Sequence, residues 1–342
     1  MTALADLRPR TPDPRRAPAL RWGVIGTGWI AARFVDAVST HTGQRFTAVA
    51  SRDRARGEDF ARAHGITRTH TDVRALAADP EVDVVYVASP HTSHHEHAIT
   101  TIAAGTPVLV EKPIGINAAQ AEEIAHAART AGVFCAEALW TYFLPRWDVV
   151  EQALASGVVG SLRSVLADYG EYLPDEHRAM DPALAGGSLL DLGTYPISLV
   201  SRLLGEPRTV AAQGADNRHG VNAHTAAIVS DTAGATGVVF TSLESSTPTT
   251  AVIAGDRGAI ELDGPFYQPG GVRVRTWSDG EVYRYDEPRT GHTGLHFEAA
   301  AVARAIAAGH TEAEERPLDE SVTFLRLMDR IRAEAGIRFI GD

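Results

Sequence analysis

Two patterns of apolar and polar residues divide the chain. Up to about residue 139, short apolar runs typical of buried parallel strands alternate with stretches whose apolar residues recur every three or four positions, as in a helix. The runs predict strands at 21–25, 46–50, 82–88, 106–110 and 133–136, and the helical stretches include 95–104 and 118–131. Such alternation predicts an α/β fold with a doubly wound parallel sheet of the Rossmann type.

Beyond residue 140 the pattern changes to strands without alternating helices. The predicted strands are 164–169, 208–213, 225–230, 235–242, 249–254 and 259–262. They predict a C-terminal α+β domain with a large, open, mostly antiparallel sheet, which helices at 293–308 and 318–335 complete. One face of such a sheet has to be covered, so we expect a homodimer or homotetramer that forms through it.

Composition excludes several classes of protein. The net charge of −11 argues against a nucleic-acid-binding surface, which needs a basic stripe. No apolar run approaches the ~18 residues of a membrane-spanning helix, and the prolines and arginines of residues 1–20 predict a flexible tail instead of a signal peptide. The one cysteine, Cys135, excludes an internal disulfide framework. We therefore expect a cytoplasmic protein without nucleic-acid or membrane partners.

A glycine turn follows the first strand at once. Segment 26–31, Gly-Thr-Gly-Trp-Ile-Ala, leads into a helix marked by Ile30, Phe34 and Val38. Strand, glycine turn and helix form the fingerprint of a dinucleotide site, in which the backbone and the helix N-terminus approach a pyrophosphate. The N-terminal domain, 21–139, is therefore predicted to bind a dinucleotide. The C-terminal domain, 140–342, is predicted to bind the substrate and to form the oligomer.

The end of the second strand indicates which dinucleotide is bound. An acidic residue about 20 residues after the glycines would bind the ribose of NAD, whereas arginine suits the 2′-phosphate of NADP. Ser51 and Arg52 stand at this place, and Asp53 lies further from the strand end. NADP is therefore the predicted cofactor, with NAD as the alternative.

Four histidines follow the third strand: His91, His94, His95 and His97. They raise the hypothesis of a metal site, but no obvious tetrahedral ligand set completes it. We predict no metal, and instead a loop near the nicotinamide, at the carboxyl edge where doubly wound sheets bind ligands.

The fourth strand leads to the residues on which the functional prediction depends most. Glu111, Lys112 and Pro113 end it, and Lys112 is the only lysine among the 32 basic residues. A lysine amine can lose its proton when burial or a neighbour lowers its pKa, whereas arginine stays charged. Lys112 is therefore predicted to be catalytic. The predicted cofactor contacts are Gly26, Thr27, Gly28, Trp29, Ile30, Ser51, Arg52, Ser89, Pro90, His91, His94, Glu111 and Lys112.

Two later segments add candidate substrate contacts. One is the aromatic-rich stretch 137–145, and the other is a helix opened by glycines 186 and 187. On this helix Asp191 and Tyr195 are four residues apart, so we expect them to share a face. A positive charge near a phenol lowers its pKa from about 10, which suits proton transfer. The predicted catalytic residues are Lys112, Tyr195 and Asp191, and the predicted substrate contacts are Trp140, Tyr142, Asp191 and Tyr195.

These motifs, from about residue 21 to 340, resemble the glucose–fructose oxidoreductase, inositol dehydrogenase and MocA (Gfo/Idh/MocA) oxidoreductases. The Glu-Lys-Pro element at 111–113 is the most specific of them. Within the family, the segment Glu-Ala-Leu-Trp-Thr at 137–141 and the tyrosine at 195 resemble the dihydrodiol dehydrogenase and NADP-dependent D-xylose dehydrogenase branch. Tyr142 and Ser89 depart from that branch, which often has arginine and threonine there. The resemblance implies reversible hydride transfer on a sugar or cyclic diol, with Lys112 and Tyr195 as the acid–base pair.

Two other functions fit the same fold. Some relatives hold NAD tightly and cleave a glycosidic bond through a transient oxidation. Ser51 and Arg52 argue against this function for the present chain. A non-catalytic NADP-binding sugar or redox sensor would need no acid–base residues. The presence of Lys112, Tyr195 and Asp191 therefore argues against a sensor. The predicted function is an NAD(P)-dependent dehydrogenase that acts on a CH–OH group of an aldopyranose or a cyclic vicinal diol.

Overall fold

The computed structural model describes residues 7–278, 280 and 282–339, and the chain forms two compact units. The parallel-sheet unit comprises residues 12–143 and 290–322, and the open-sheet unit comprises residues up to 11, 144–289 and those from 323 on. Within the described residues, no helix is long and apolar enough to cross a membrane. The cytoplasmic location stays a prediction.

The bounds of the elements agree with most of the predicted ones. The strands are β1 (Arg21–Ile25), β2 (Arg45–Ala50), β3 (Arg68–His70), β4 (Val84–Val87), β5 (Val108–Glu111), β6 (Cys135–Ala138), β7 (Leu162–Gly170), β8 (Thr209–Asp216), β9 (Asn222–Ser230), β10 (Thr236–Ser242), β11 (Ala251–Gly255), β12 (Gly258–Leu262), β13 (Val272–Thr276) and β14 (Val282–Tyr285). The helices are α1 (Trp29–His41), α2 (Arg54–His64), α3 (Val73–Ala77), α4 (His91–Ala103), α5 (Ala118–Ala131), α6 (Pro145–Ala155), α7 (Ser188–Asp191), α8 (Thr194–Leu204), α9 (His296–Ala307) and α10 (Leu318–Ala335).

Six parallel strands form the sheet of the parallel-sheet unit, in the order β3-β2-β1-β4-β5-β6. This is the strand order of a dinucleotide-binding doubly wound fold, so the predicted Rossmann sheet is confirmed. β4 and β5 are buried at every position because helices cover both faces of such a sheet. Because β1, β4 and β5 are adjacent and parallel, their carboxyl ends lie side by side at one edge of the sheet.

Helix α9 belongs to the parallel-sheet unit, whereas the sequence predicted that segment 293–308 completes the C-terminal domain. Small buried residues explain its place. Ala300 and Ala303 pack with Ala17 in one apolar cluster, and α9 also contacts α1.

The predicted tail, 1–20, is only partly described. Residues 1–6 lie outside the described residues, and of the rest Leu7 is fully buried and accepts a hydrogen bond from Tyr283.

Eight strands form the sheet of the open-sheet unit, in the order β14-β13-β12-β11-β7-β10-β9-β8. All neighbouring pairs are antiparallel except β7 and β10, so the predicted open, mostly antiparallel sheet is confirmed. Helix α8 covers one face. A Cβ on Gly237 of β10 would lie 2.5 Å from a methyl group of Val200, so the absence of a side chain there lets the helix approach the sheet.

Candidate active site

The loop between β1 and α1 is shaped to bring backbone close to a ligand. Gly26 has a φ of +104°, and a Cβ there would lie 2.5 Å from the carbonyl oxygen of Ala88, so only glycine fits. Gly28 is different, because a Cβ there would meet nothing within 4 Å. No side chain caps the first turn of α1, whose N–H groups therefore remain available to an anion. The loop fits the pyrophosphate of a dinucleotide.

The residues after β2 favour a 2′-phosphate over a free ribose hydroxyl. Arg52 is exposed and forms no ion pair with any residue that the structure describes. Asp53 caps α2, because its carboxylate accepts a hydrogen bond from the Arg56 N–H at 3.1 Å. The carboxylate closest in sequence to this strand end therefore stabilises a helix, while the charge of Arg52 stays available to a phosphate.

The histidine segment opens a helix that begins four residues before the predicted one, so the predicted loop is limited to Ser89 and Pro90. α4 begins at His91, and Pro90 directly before it is compatible with this start, since a proline is tolerated at the beginning of a helix. His94 is fully buried, and its Nδ1 and Nε2 lie 2.8 Å from the carbonyl oxygens of Pro113 and Ser89, respectively. His94 thereby connects the segments that follow β4 and β5.

Two other histidines of α4, His95 and His97, also lie close to polar protein groups. His95 lies 2.7 Å from a carboxylate oxygen of Glu123, and Nδ1 of His97 lies 2.9 Å from the Ser89 hydroxyl. Burial and the charge of Arg52 lower the pKa of His97. Among the described residues, no group of three or more histidine, cysteine, aspartate or glutamate side chains is placed to hold a metal ion.

Lys112 follows the carboxyl end of β5 and is half-buried. The neighbouring Glu111 is buried, and its carboxylate accepts hydrogen bonds from the Tyr86 hydroxyl and from the Lys112 N–H. Glu298 of α9 is fully buried, and neither of its carboxylate oxygens has a hydrogen-bond partner among the described residues. Burial, then the charge of Glu111, raises the pKa of Glu298 well above its usual value, which favours the protonated form of this carboxyl group.

A histidine that the sequence analysis missed lies within electrostatic reach of Lys112. The ring of His292 stands edge-on to Trp29, with ring centroids 4.7 Å apart, and stacks on Trp140 at 5.5 Å. Burial, then the charges of Arg33 and Lys112, lower the pKa of His292 to about 4. His292 is therefore neutral at physiological pH. Two of the predicted site residues, Trp29 and Trp140, thus share this neighbour.

A buried ion pair fixes the aromatic segment that contains Trp140 and Tyr142. The Glu137 carboxylate accepts two hydrogen bonds from Arg316, at 2.9 and 2.8 Å, and one from the Ser321 hydroxyl at 2.7 Å. The guanidinium carbon of Arg316 lies 5.3 Å from the ring centroid of Tyr142, which is itself buried. Tyr142 therefore packs against the ion pair, and its contact with a substrate stays a prediction.

Asp191 and Tyr195 lie in the open-sheet unit, and they do not share one helical face as predicted. α7 ends at Asp191 and α8 begins at Thr194. The break lies at Gly193, where a Cβ would stand 2.3 Å from the carbonyl oxygen of Leu189. Asp191 forms an ion pair with Arg178, with an N–O distance of 2.6 Å.

Two further tyrosines surround Tyr195, and the sequence analysis missed both. The ring of Tyr267 stacks on Tyr195 with centroids 4.1 Å apart, and its hydroxyl lies 2.8 Å from that of Tyr169. The Tyr169 hydroxyl also donates to Glu171 at 2.9 Å. Burial raises the pKa of both Tyr169 and Tyr267, so these two phenols stay protonated. Their long separation in sequence left no local pattern that could have identified them.

Comparison with known proteins agrees with this arrangement. Residues 20–139 match the family described as "Oxidoreductase family, NAD-binding Rossmann fold", and residues 147–261 match the GFO/IDH/MocA C-terminal domain. The trans-1,2-dihydrobenzene-1,2-diol dehydrogenase of Bos taurus is 33% identical over 336 residues, which cover 95% of this chain and 99% of that protein. The human enzyme of the same name is 31% identical over 335 residues, with the same coverage.

Solved structures show the same fold. A 3-ketoreductase from Actinomadura kijaniata, in complex with NADP and TDP-benzene, is 26% identical with a TM-score of 0.82, over 93% of this chain and 98% of that one. A levoglucosan dehydrogenase in complex with NADH and levoglucosan is 19% identical and has a TM-score of 0.82, with the same coverage. The family matches extend over both units. The chain therefore belongs to the Gfo/Idh/MocA family of NAD-binding Rossmann-fold oxidoreductases.

Proposed function

We propose that this oxidoreductase is an NADP-linked dehydrogenase that exchanges a hydride with a carbinol carbon of an aldopyranose or a cyclic vicinal diol. The observation that carries the proposal is the position of Lys112, the only lysine of the chain, at the same sheet edge as the glycine loop. The exposed charge of Arg52 supports NADP. The names of the relatives, which include a dihydrodiol dehydrogenase and an NADP-bound 3-ketoreductase, support the substrate class.

The bound nicotinamide would supply the hydride chemistry, and the protein residues would handle the proton. Lys112 and Tyr195 are the proposed acid–base residues, because a phenol whose pKa is lowered by an ammonium group can exchange a proton with a substrate hydroxyl. Asp191, whose carboxylate is oriented by Arg178, is proposed to accept a hydrogen bond from another hydroxyl. Trp140 is proposed to contact the ring of the substrate.

The direct test follows the absorbance of NADPH while NADP⁺ or NAD⁺ is offered with aldopyranoses, inositols and cyclic vicinal diols. Turnover with NADP⁺ and one substrate class would support the proposal. Tightly held NAD that copurifies with the protein, together with cleavage of glycosides, would favour the glycosidase alternative. Binding of NADPH and a sugar without any turnover would favour the sensor.

Arg52 provides a test of cofactor choice. We expect Arg52→Ala to raise the KM for NADP⁺ by about 10- to 100-fold, which corresponds to one lost charge-assisted contact, and to leave the KM for NAD⁺ unchanged. Arg56→Ala is the matched control, because Arg56 is also exposed but lies inside α2. Equal effects of Arg52→Ala on both cofactors would contradict the role of Arg52 at a 2′-phosphate.

The two glycines of the loop after β1 should respond differently to a methyl group. We expect Gly28→Ala to leave Tm unchanged, because its Cβ would meet no protein atom, but to weaken NADP⁺ binding at least tenfold, or about 1.4 kcal/mol. Gly26→Ala should also lower stability by about 1–3 kcal/mol, because it strains the backbone and overlaps Ala88. Isothermal titration and thermal unfolding measure the two effects. Normal NADP⁺ affinity of Gly28→Ala would rule out a close backbone approach.

We propose that the open sheet forms the interface of a homo-oligomer. Leu166, Ile228 and Val238 are neighbours across β7, β9 and β10, and they point to the face opposite α8. Their exposed fractions are 44%, 53% and 38%, so an apolar row crosses the centre of the sheet. A second copy of the same face would bury this row.

Val238→Glu is expected to shift the protein from dimer or tetramer to monomer, because a buried carboxylate without a partner opposes association. Light scattering after size-exclusion chromatography measures the mass. Val282→Glu is the matched control, because Val282 is 43% exposed but lies on the edge strand β14 of the same sheet. A wild-type protein that elutes as a monomer at all concentrations would contradict the proposal.

A further inference from the structure

The ring of His292 packs against two indole rings, but its polar nitrogens have no structural task. No described residue forms a hydrogen bond with either nitrogen of its half-buried ring. The ring lines a cavity of about 380 Å³ together with Trp29 and Arg33. Most buried or half-buried polar groups have a protein partner, so one that faces a cavity and has none is available to a ligand.

The surroundings of His292 suit a hydroxylated ring. At neutral pH its imidazole carries one N–H donor and one acceptor nitrogen, which together match a hydroxyl group, itself a donor and an acceptor. The neighbouring indole rings of Trp29 and Trp140 provide flat apolar surface. Burial, then the charges of Arg33 and Lys112, lower the pKa of His292 to about 4, so its ring is uncharged at neutral pH. His292 therefore carries no positive charge that would select an anionic ligand.

We propose that His292 binds a ring hydroxyl group of the substrate and thereby selects polyhydroxylated rings, such as aldopyranoses, over cyclic diols that lack further hydroxyls. This inference rests on the proposed function, and it narrows the substrate class. His292 would make a contact that an aldopyranose can satisfy with a hydroxyl distant from the reacting carbon. A simple cyclic diol has no group to place there, so a site built around His292 would use it poorly.

Two substitutions separate the hydrogen bond from the ring stacking. His292→Phe keeps an aromatic ring between the two indoles but removes both polar nitrogens, whereas His292→Asn keeps a donor and an acceptor without the ring. We expect His292→Phe to lower kcat/KM for the best aldopyranose about 2- to 13-fold, the range of one lost neutral hydrogen bond. The same variant should keep kcat/KM for trans-cyclohexane-1,2-diol, and His292→Asn should retain more sugar activity than His292→Phe.

The control and the cofactor measurement decide between the outcomes. His310→Phe changes a histidine on the exposed surface after α9 and should leave all constants unchanged. The Kd for NADPH, from quenching of tryptophan fluorescence, should stay the same in His292→Phe. A weaker Kd for NADPH with an unchanged ratio of sugar to diol activity would mean that His292 binds a ribose hydroxyl of the cofactor, and would overturn the inference.

The wild-type enzyme provides the reference for these outcomes. Equal losses with sugar and diol in an otherwise folded His292→Phe variant would also overturn the inference, because they would show a general packing role. If the wild-type enzyme turns over only the diol, the selectivity is absent and the inference fails while the proposed dehydrogenase function stands. If the wild-type enzyme turns over neither class, the proposed function fails and this inference fails with it.

Discussion

Replacement of Lys112 by methionine is expected to lower kcat by about 10²- to 10⁴-fold, the contribution that a positioned acid–base group makes. The Kd for NADPH should change by no more than a few-fold. Methionine keeps the length and the apolar stem of lysine and removes only the amine, so the half-buried position after β5 stays filled. Single-turnover absorbance at the NADPH band measures the chemical step, and fluorescence titration measures cofactor binding.

Lys112→Arg tests which property of the lysine matters. Arginine keeps the positive charge but does not give up a proton in proteins. If Lys112 acts mainly by lowering the pKa of Tyr195, Lys112→Arg should retain much more activity than Lys112→Met, and Tyr195→Phe should be as severe as Lys112→Met. If Lys112 itself transfers the proton, both lysine variants should be equally inactive. Loss of NADPH binding in Lys112→Met would instead show that Lys112 serves the nucleotide.

Most strands of the parallel sheet could be predicted from sequence because their signals are local. β1, the glycine loop and α1 follow one another within residues 21–41, and β4 and β5 are continuous apolar runs. These strands are buried on both faces of the sheet, so their apolar residues form continuous runs and do not alternate with polar ones. The short strand β3, Arg68–His70, was missed because three polar residues carry no such signal. The strands β13 and β14 were missed because arginines interrupt the valines of β13, and β14 consists of only four residues, of which one is arginine and two are tyrosine.

The candidate site was predicted only where a motif carried it. Gly26, Gly28 and Lys112 stand in recognisable local sequences, whereas the segment 291–298, which contains His292 and Glu298, has no such motif. Their importance comes from neighbours far along the chain, such as Trp29 for His292. The break of the predicted helix at Gly193 could not be foreseen either, because it depends on the close approach of one carbonyl group. Local patterns therefore identify the elements, and packing decides which side chains meet.

Arg316→Met is expected to destabilise the protein by about 3–5 kcal/mol, because it leaves the Glu137 carboxylate buried without its positive partner. Both side chains are 0% exposed, and they are 179 residues apart in sequence. Urea-induced unfolding followed by fluorescence measures the change. Arg129→Met is the matched control: Arg129 pairs with Glu312 and Asp319 but its side chain is 44% exposed, so its loss should cost less than about 1 kcal/mol.

The same ion pair should also affect catalysis, because Glu137 accepts a hydrogen bond from the N–H of Ile114, two residues after Lys112. A double variant, Glu137→Gln with Arg316→Met, removes both charges and should recover part of the lost stability, since an uncharged amide is far less costly to bury than a lone carboxylate. The double variant should keep a reduced kcat if the backbone at Ile114 depends on the charged carboxylate. Full recovery of stability and kcat together would show that the pair only fills space. No recovery of stability would show that the loss in Arg316→Met comes from packing, and that the charge left on Glu137 contributes little.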